Sequence, residues 1–293
     1  MENMDLAALR IFKSVVEHGG INKAAAKLHR VPSNVTTRIK QLEEKLGTKL
    51  FLRTGRRLSL SAEGRRLLPY AEQLLRLSTE AEAALRDGAP RGTLRIGALE
   101  STAASRLPPV LSRYHQRYPD VRIELVTGTS GALVSAVHKQ DVEAAFVAEP
   151  FNAGDLETRA VFLEELVLIT PKSFGRIRSA KDIGNRTVIA FSTGCSYRRR
   201  LEAWLGASQI LPERVIEFQS YHAIIACVAA GSGIAVAPRA VVDLARCSRN
   251  LTITALPAHV AKTRTHLAWR PEHRSVTLEA LKKLLLQTAA LST

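Results

Sequence analysis

Cysteine is scarce: Cys195, Cys227 and Cys247 are the only three in 293 residues, and no two stand in a C-x-x-C pair. An odd, widely spaced set argues against a disulfide framework and against a cysteine zinc site. Long apolar runs are also missing. None approaches the ~20 residues that span a bilayer, so no membrane association is expected. The first residues, MENMDLAALRIFKSVVEHGG, carry acids early and lack an apolar core before a small-residue cleavage site. A secretory signal is therefore not expected, and a cytoplasmic location is. No H-E-x-x-H, no G-x-S-x-G and no clustered Asp, Glu or His suggests a metal or a nucleophile. Gly231-Ser232-Gly233 lacks the third glycine of a dinucleotide turn and precedes a β-type run. No catalytic residue, metal or cofactor is assigned, and the chain is not read as an enzyme. Acids are few as well: 27 Asp and Glu stand against 42 Lys and Arg, a formal charge of +15. Such a balance favours polyanionic partners, nucleic acid first.

The charge is uneven. Between Gly19 and Arg66, 12 basic residues face Glu43, Glu44 and Glu63 alone, which is +9 in 48 residues; the remaining 245 carry only +6. The rest of the composition, 46% hydrophobic and 24% charged with 17 Gly and 12 Pro, is that of a soluble globular chain. Its length predicts about two domains. The stretch Asp87-Gly88-Ala89-Pro90-Arg91-Gly92 marks the boundary. Before it the pattern is helical. After it short β-type runs alternate with helical ones: 94–99, 122–126, 144–147, 166–170, 187–191, 215–218, 234–237, 251–256 and 266–269. That alternation predicts an α/β fold with a parallel-rich sheet.

Leu6, Leu9, Phe12 and Val16 share a helical face behind a candidate cap, Asp5. Gly19-Gly20 ends that helix. A short alanine-rich helix follows, then a turn at His29-Arg30-Val31-Pro32. The next helix spans about 33–46, with Val35, Ile39, Leu42 and Leu46 as its buried stripe. Ser33, Thr37 and Lys40 point away from that stripe, with Asn34, Thr36, Arg38 and Gln41 on its flanks. Short hydroxyl and amide groups suit base edges, and cations suit phosphates. Two helices joined by a short turn form a helix-turn-helix. Arg53-Thr54-Gly55-Arg56-Arg57 makes a basic turn between two β-type segments, a wing that places Arg53, Arg56 and Arg57 on the DNA backbone or in the minor groove. A small helical bundle with a polar surface is the simpler alternative.

Four motifs occur in order: Gly20-Ile21-Asn22-Lys23-Ala24-Ala25-Ala26-Lys27-Leu28; Arg38-Ile39-Lys40-Gln41-Leu42-Glu43-Glu44-Lys45-Leu46-Gly47; Leu50-Phe51-Leu52-Arg53-Thr54; and Leu60-Ser61-Ala62-Glu63-Gly64. Together they resemble the LysR-type transcriptional regulators. The resemblance is specific over residues 5–66 and looser beyond. The start of the third helix, Val31-Pro32-Ser33-Asn34-Val35-Thr36-Thr37-Arg38, departs from the Gln-initiated form of many members, so base preference does not carry over.

The resemblance implies a winged helix-turn-helix at 1–62, a dimerising linker helix at 63–90 and an effector-binding domain at 91–293. That domain would be similar to periplasmic binding proteins, with lobe one at 91–167 and 268–293 and lobe two at 168–267. Leu67, Ala71, Leu74, Ser78, Ala81 and Leu85 recur at alternating spacings of four and three, the seam of paired helices. A homodimer, or by resemblance a homotetramer, is expected; a helix packed on its own domain is the alternative.

Four strand-to-helix junctions carry short polar residues: Glu100-Ser101-Thr102, Thr127-Gly128-Thr129-Ser130, Ser192 through Arg198, and Gln219-Ser220-Tyr221-His222. Converging helix starts suit a small anion such as a carboxylate. The family's effector contacts map onto Ser101, Thr102, Ser130, Ser196 and the region of Ser220. His222 lies near a candidate site, and Arg198 could pair a ligand carboxylate, although Arg199 and Arg200 adjoin it.

The expectation is thus a sequence-specific regulator of double-stranded DNA, gated by a small carboxylated metabolite and acting on RNA polymerase. The alternatives are an architectural DNA-binding protein without an effector, and a redox-sensing regulator using Cys195, whose place at a helix start could lower its pKa.

Overall fold

The computed structural model describes residues 4–54, 57–84, 89–175, 177–245 and 249–289. The chain forms two compact units, 1–88 and 89–293.

In the first unit, α1 (Leu6–Glu17) starts where Asp5 Oδ1 accepts the Ala8 amide at 2.6 Å, satisfying a free helix-start donor. Next come α2 (Ile21–Lys27) and α3 (Pro32–Leu46). Pro32 occupies the first turn of α3, where no partner for its missing N–H is needed, and Gly47 ends the helix with φ 64°. Ala24 and Ala25 of α2 are fully buried, their small side chains admitting close helix approach. The wing pairs β1 (Phe51–Thr54) with β2 (Arg57–Leu60), Phe51 opposite Leu60. A long helix, α4 (Ala62–Ala84), follows. Leu9, Phe12, Val35, Leu42, Leu50 and Ala71 form the core.

The second unit runs β3 (Gly92–Ala98), α5 (Glu100–Ser105), α6 (Leu107–Arg117), β4 (Val121–Thr127), α7 (Ser130–His138), β5 (Ala144–Ala148) and β6 (Glu157–Pro171). It continues with β7 (Val188–Phe191), α8 (Ser196–Ala207), β8 (Val215–Phe218), α9 (Tyr221–Ala229), β9 (Ala235–Pro238), α10 (Arg239–Leu244), β10 (Leu251–Ala255), α11 (Ala258–Ala261), β11 (Lys262–Trp269) and α12 (Val276–Ala289). The main sheet has the order β10-β6-β11-β5-β3-β4, with β9 also on β6; β7 and β8 pair separately.

All nine expected β-type runs are strands, but the sheet is less parallel than expected. β3 pairs in parallel with β4 and β5, and β7 with β8. The long strands β6 and β11 run antiparallel to each other and to β10, β9 and β5. β6 extends well before the expected 166–170: Glu157–Ala160 pair with His266–Trp269 of β11, and their exposure hides them from an apolar pattern. One core packs β3, β5, α6 and α12 together through Ile96, Tyr114, Phe146 and Leu281. The other joins Leu133 and Val147 to Ile189, Leu201 and Ile225, so apolar packing is continuous across the expected lobe division.

Candidate nucleic-acid interface and ligand cleft

Val35, Ile39 and Leu42 anchor α3 in the core of the first unit, whereas Leu46, expected in the same stripe, is exposed at the end of the helix. Fixing that face settles the other: Ser33, Asn34, Thr37, Arg38, Lys40 and Gln41 are exposed. Thr36 is half-buried and its hydroxyl donates to the Pro32 carbonyl at 2.9 Å, so its proton is engaged within the helix. Arg30 donates to Asn34 Oδ1 at 3.2 Å and orients that amide. Arg53 is exposed on β1; Arg56 lies outside the described residues, as does the side chain of Arg57.

Glu43 figures in the sequence only as a charge within a motif, yet it ties α3 to the wing. Its buried carboxylate accepts the amides of Leu50 and Phe51 at 2.8 and 3.2 Å and the Lys49 ammonium at 2.8 Å. Burial pushes its pKa up. Hydrogen bonds from Lys49, Leu50 and Phe51 more than offset this and hold it below the ordinary value. Ser61 Oγ donates to the Lys49 carbonyl at 2.6 Å and accepts the Gly64 amide at 2.8 Å.

The residues expected to form a seam on α4 differ in exposure. Ala71 is fully buried in the unit's own core, and Leu67 packs against the same core. Contact with α1 claims this side of the helix. Tyr70, Leu74 and Leu77 are exposed large apolar residues, Ala81 is exposed too, and their spacing is four, three, four. Ser78 is half-buried, and Leu85 lies outside the described residues.

In the second unit, Leu99, Glu100, Ser101, Gly128, Thr129, Phe191, Cys195, Tyr197 and Tyr221 line a cavity of about 10 Å³, room for about one water. It lies at the carboxyl ends of β3, β4, β7 and β8, where helices begin. Of the expected contacts only Ser101 lines it. Thr102 is buried beside it. Ser130 and Ser196 stand 2.9 Å apart at facing helix starts; Ser196 Oγ is 2.7 Å from the Ala148 carbonyl, and the Ala148 amide donates to Ser130 at 3.1 Å. Mutual bonding removes both from the lining. Ser220 is half-buried and His222 exposed, with Tyr221 between them facing the cavity.

Arg198 does not turn inward. It donates to Glu202 at 2.6 Å, to Glu217, and to the Phe191 carbonyl at 3.2 Å. Arg200 bonds the carbonyls of Glu149, His259 and Val260, and Arg199 is exposed. Hence, among the described residues, no Lys or Arg lines the cavity, and an acid does.

Cys195 is buried, and burial pushes its thiol pKa up, outweighing the amides at the helix start. A thiol held protonated in the interior is a poor sensor. Cys227 is partly buried, and Cys247 lies outside the described residues. Among the described residues no group of His, Cys, Asp or Glu is arranged to hold a metal, and no helix is long and apolar enough to cross a membrane.

Residues 6–65 match the family model of the bacterial regulatory helix-turn-helix protein, lysR family, and residues 87–290 match the LysR substrate binding domain. The chain is 40% identical over 240 residues to the HTH-type transcriptional regulator GltR of Bacillus subtilis, covering 82% of this chain and 81% of that protein. It is 34% identical to the HTH-type transcriptional regulator SoxR of Arthrobacter, over 96% of both chains. Its fold is similar to full-length CbnR complexed with target DNA, with a TM-score of 0.72, 20% identity, and coverage of 97% of this chain and 100% of that one. A full-length OxyR variant from Pseudomonas aeruginosa gives a TM-score of 0.71 at 20% identity, covering 99% of this chain and 96% of that one. The chain belongs to the LysR family of DNA-binding transcription regulators.

Proposed function

We propose that this regulator reads a two-fold symmetric operator and is controlled by a small metabolite in the cavity of its second unit. The observation that carries the first part is α3: one face is sunk in the core, and the opposite face offers Ser33, Asn34, Thr37, Arg38, Lys40 and Gln41 to solvent. Set in a major groove, the short polar groups meet base edges while Arg38, Lys40 and the wing's Arg53 meet phosphates. A single recognition helix covers few base pairs, so a pair of subunits with half-sites about one turn apart, or a multiple, supplies the rest. The exposed stripe Tyr70, Leu74, Leu77 and Ala81 supports such pairing.

The ligand acts by binding one assembly shape better than another, which shifts their populations. The altered shape changes DNA bending and thereby polymerase recruitment. Nuclease footprinting of the full-length protein on DNA flanking its own gene tests the reading, with and without a metabolite panel. Two protected half-sites whose spacing changes with a metabolite support it. An unpaired or sequence-indifferent footprint contradicts it.

A further inference from the structure

The cavity presents an acid where a carboxylated ligand would need a base. Glu100 lines it, and its Oε2 is buried with no hydrogen-bond partner. Oε1 receives only a long bond, 3.4 Å, from the Tyr221 amide. Two more polar atoms in the lining, Ser101 Oγ and Tyr197 Oη, are likewise buried without partners, each on a residue only 2% exposed. Ser101 and Thr265 lie near enough to the Tyr197 hydroxyl to act against burial on its pKa, yet none of these hydroxyls meets hydrogen-bonding geometry. Buried polar groups left unpaired in a native fold call for a partner.

Phe191, Tyr197 and Tyr221 form the aromatic part of the wall, beside Leu99, Gly128, Thr129 and Cys195. Phe191 and Tyr221 have ring centroids 5.3 Å apart, and Tyr197 and Tyr221 6.5 Å. Aromatic faces attract cations through the ring quadrupole. The nearby arginines are already held, and His222, which acts on Glu100 through charge, is exposed to solvent and makes no ion pair with it. Arg106 is bound at 2.8 and 2.9 Å by both oxygens of Glu164, and Arg198 is bound by Glu202 and Glu217. Neither is free to neutralise Glu100.

Resting on the reading of this cavity as the effector site, we propose that its ligand is a small protonated primary amine. The cavity as it stands admits one water-sized group, so the ammonium fills it, donating to Glu100 Oε2, Ser101 Oγ and Tyr197 Oη, and the alkyl part is accommodated only by displacement of the Phe191 and Tyr221 rings. Three acceptors match the three N–H donors of a primary ammonium, which a quaternary ammonium lacks. Burial also raises the Glu100 pKa, the cost of an isolated carboxylate that a bound cation would relieve.

The test is thermal unfolding and calorimetric titration of the full chain with methylammonium, ethylammonium and n-butylammonium chlorides. The comparison probes are tetramethylammonium chloride, sodium acetate and sodium butyrate at equal ionic strength. Primary amines should raise the midpoint in a concentration-dependent way, and Glu100→Gln should weaken them at least ~10-fold. Tyr197→Phe and Ser101→Ala should each weaken them less; these variants serve if Glu100→Gln fails to fold. Stabilisation by acetate or butyrate alone, retained in Glu100→Gln, overturns the amine and leaves the effector cavity standing. Tetramethylammonium equal to methylammonium, or an amine response unchanged in Glu100→Gln, also overturns it. No response to any probe, with no metabolite altering the footprint, removes the effector reading as well.

Discussion

The carboxylate of Glu43 accepts the backbone amide of Leu50 at 2.8 Å, joining the last turns of α3 to the entrance of the wing. This bond lets one helix set the position of the hairpin that carries Arg53. Removing it in Glu43→Ala leaves the amides of Leu50 and Phe51 without their acceptor. A buried unsatisfied group costs about 1–3 kcal/mol. We expect a loss of that order in the stability of the first unit by chemical denaturation, with weaker DNA binding.

The same bond sets a pH dependence. The folded pKa of Glu43 lies below its ordinary 4.5. Its contribution is therefore complete above the unfolded value and is lost as pH falls through the lower folded value. Acid titration of the first unit's unfolding should show this loss in wild type below about pH 4.5. Glu43→Gln should flatten the profile there.

Gly64 sits on the next contact of this framework. A Cβ there would stand 2.2 Å from the Leu50 carbonyl oxygen and 2.7 Å from Leu60 Cδ2. The first obstacle is backbone and cannot swing away. Gly64→Ala should destabilise the first unit by about 1–3 kcal/mol through overpacking, read as a lower denaturation midpoint.

Exposure along α4 separates two classes of substitution. Leu74→Glu and Leu77→Glu charge the outward stripe and should raise the subunit dissociation constant at least ~10-fold by sedimentation, leaving helix content unchanged. Ala71→Glu places a charge in the core and should lower stability instead. Unchanged assembly in the first pair would show that subunits meet elsewhere.

Gly194 marks a close approach at the cavity. Its φ is 96°, and a Cβ would meet Thr129 Oγ1 at 3.1 Å. Gly194→Ala is strained in backbone and crowded against a cavity residue. It should lower the second unit's unfolding midpoint and reduce the amine response, measured by calorimetric titration.

Much of the first unit was legible because period and chemistry agree there. Val35, Ile39 and Leu42 bury at helical spacing, Asp5 caps α1 and Gly47 ends α3. The seven-residue pattern on α4 was legible, but periodicity cannot tell which of its positions α1 covers: Ala71 is buried in the unit's own core while Leu74 and Ala81 are exposed. In the second unit all nine strands were visible, yet the direction of β6 and β11 depends on pairing across the sheet, which no local pattern encodes. The lining of the cavity was only partly legible for a similar reason: Ser101 lines it, but other expected residues do not. Ser130 and Ser196 look like free helix-start hydroxyls until tertiary contact brings them together. Glu100 stood inside a polar junction already noted, but its value as an acceptor follows from burial, which only the fold reveals.

The outward face of α3 remains the point on which regulation turns. Fluorescence anisotropy of the full-length protein, on a duplex selected from a random pool and on a scrambled duplex across a salt series, tests it most directly. Lys40→Ala should weaken both duplexes alike and reduce the salt slope by about one. Thr37→Ala should weaken the selected duplex by about 1–3 kcal/mol and leave the scrambled one unchanged. Equal effects of both substitutions on both duplexes would show that α3 does not read the bases.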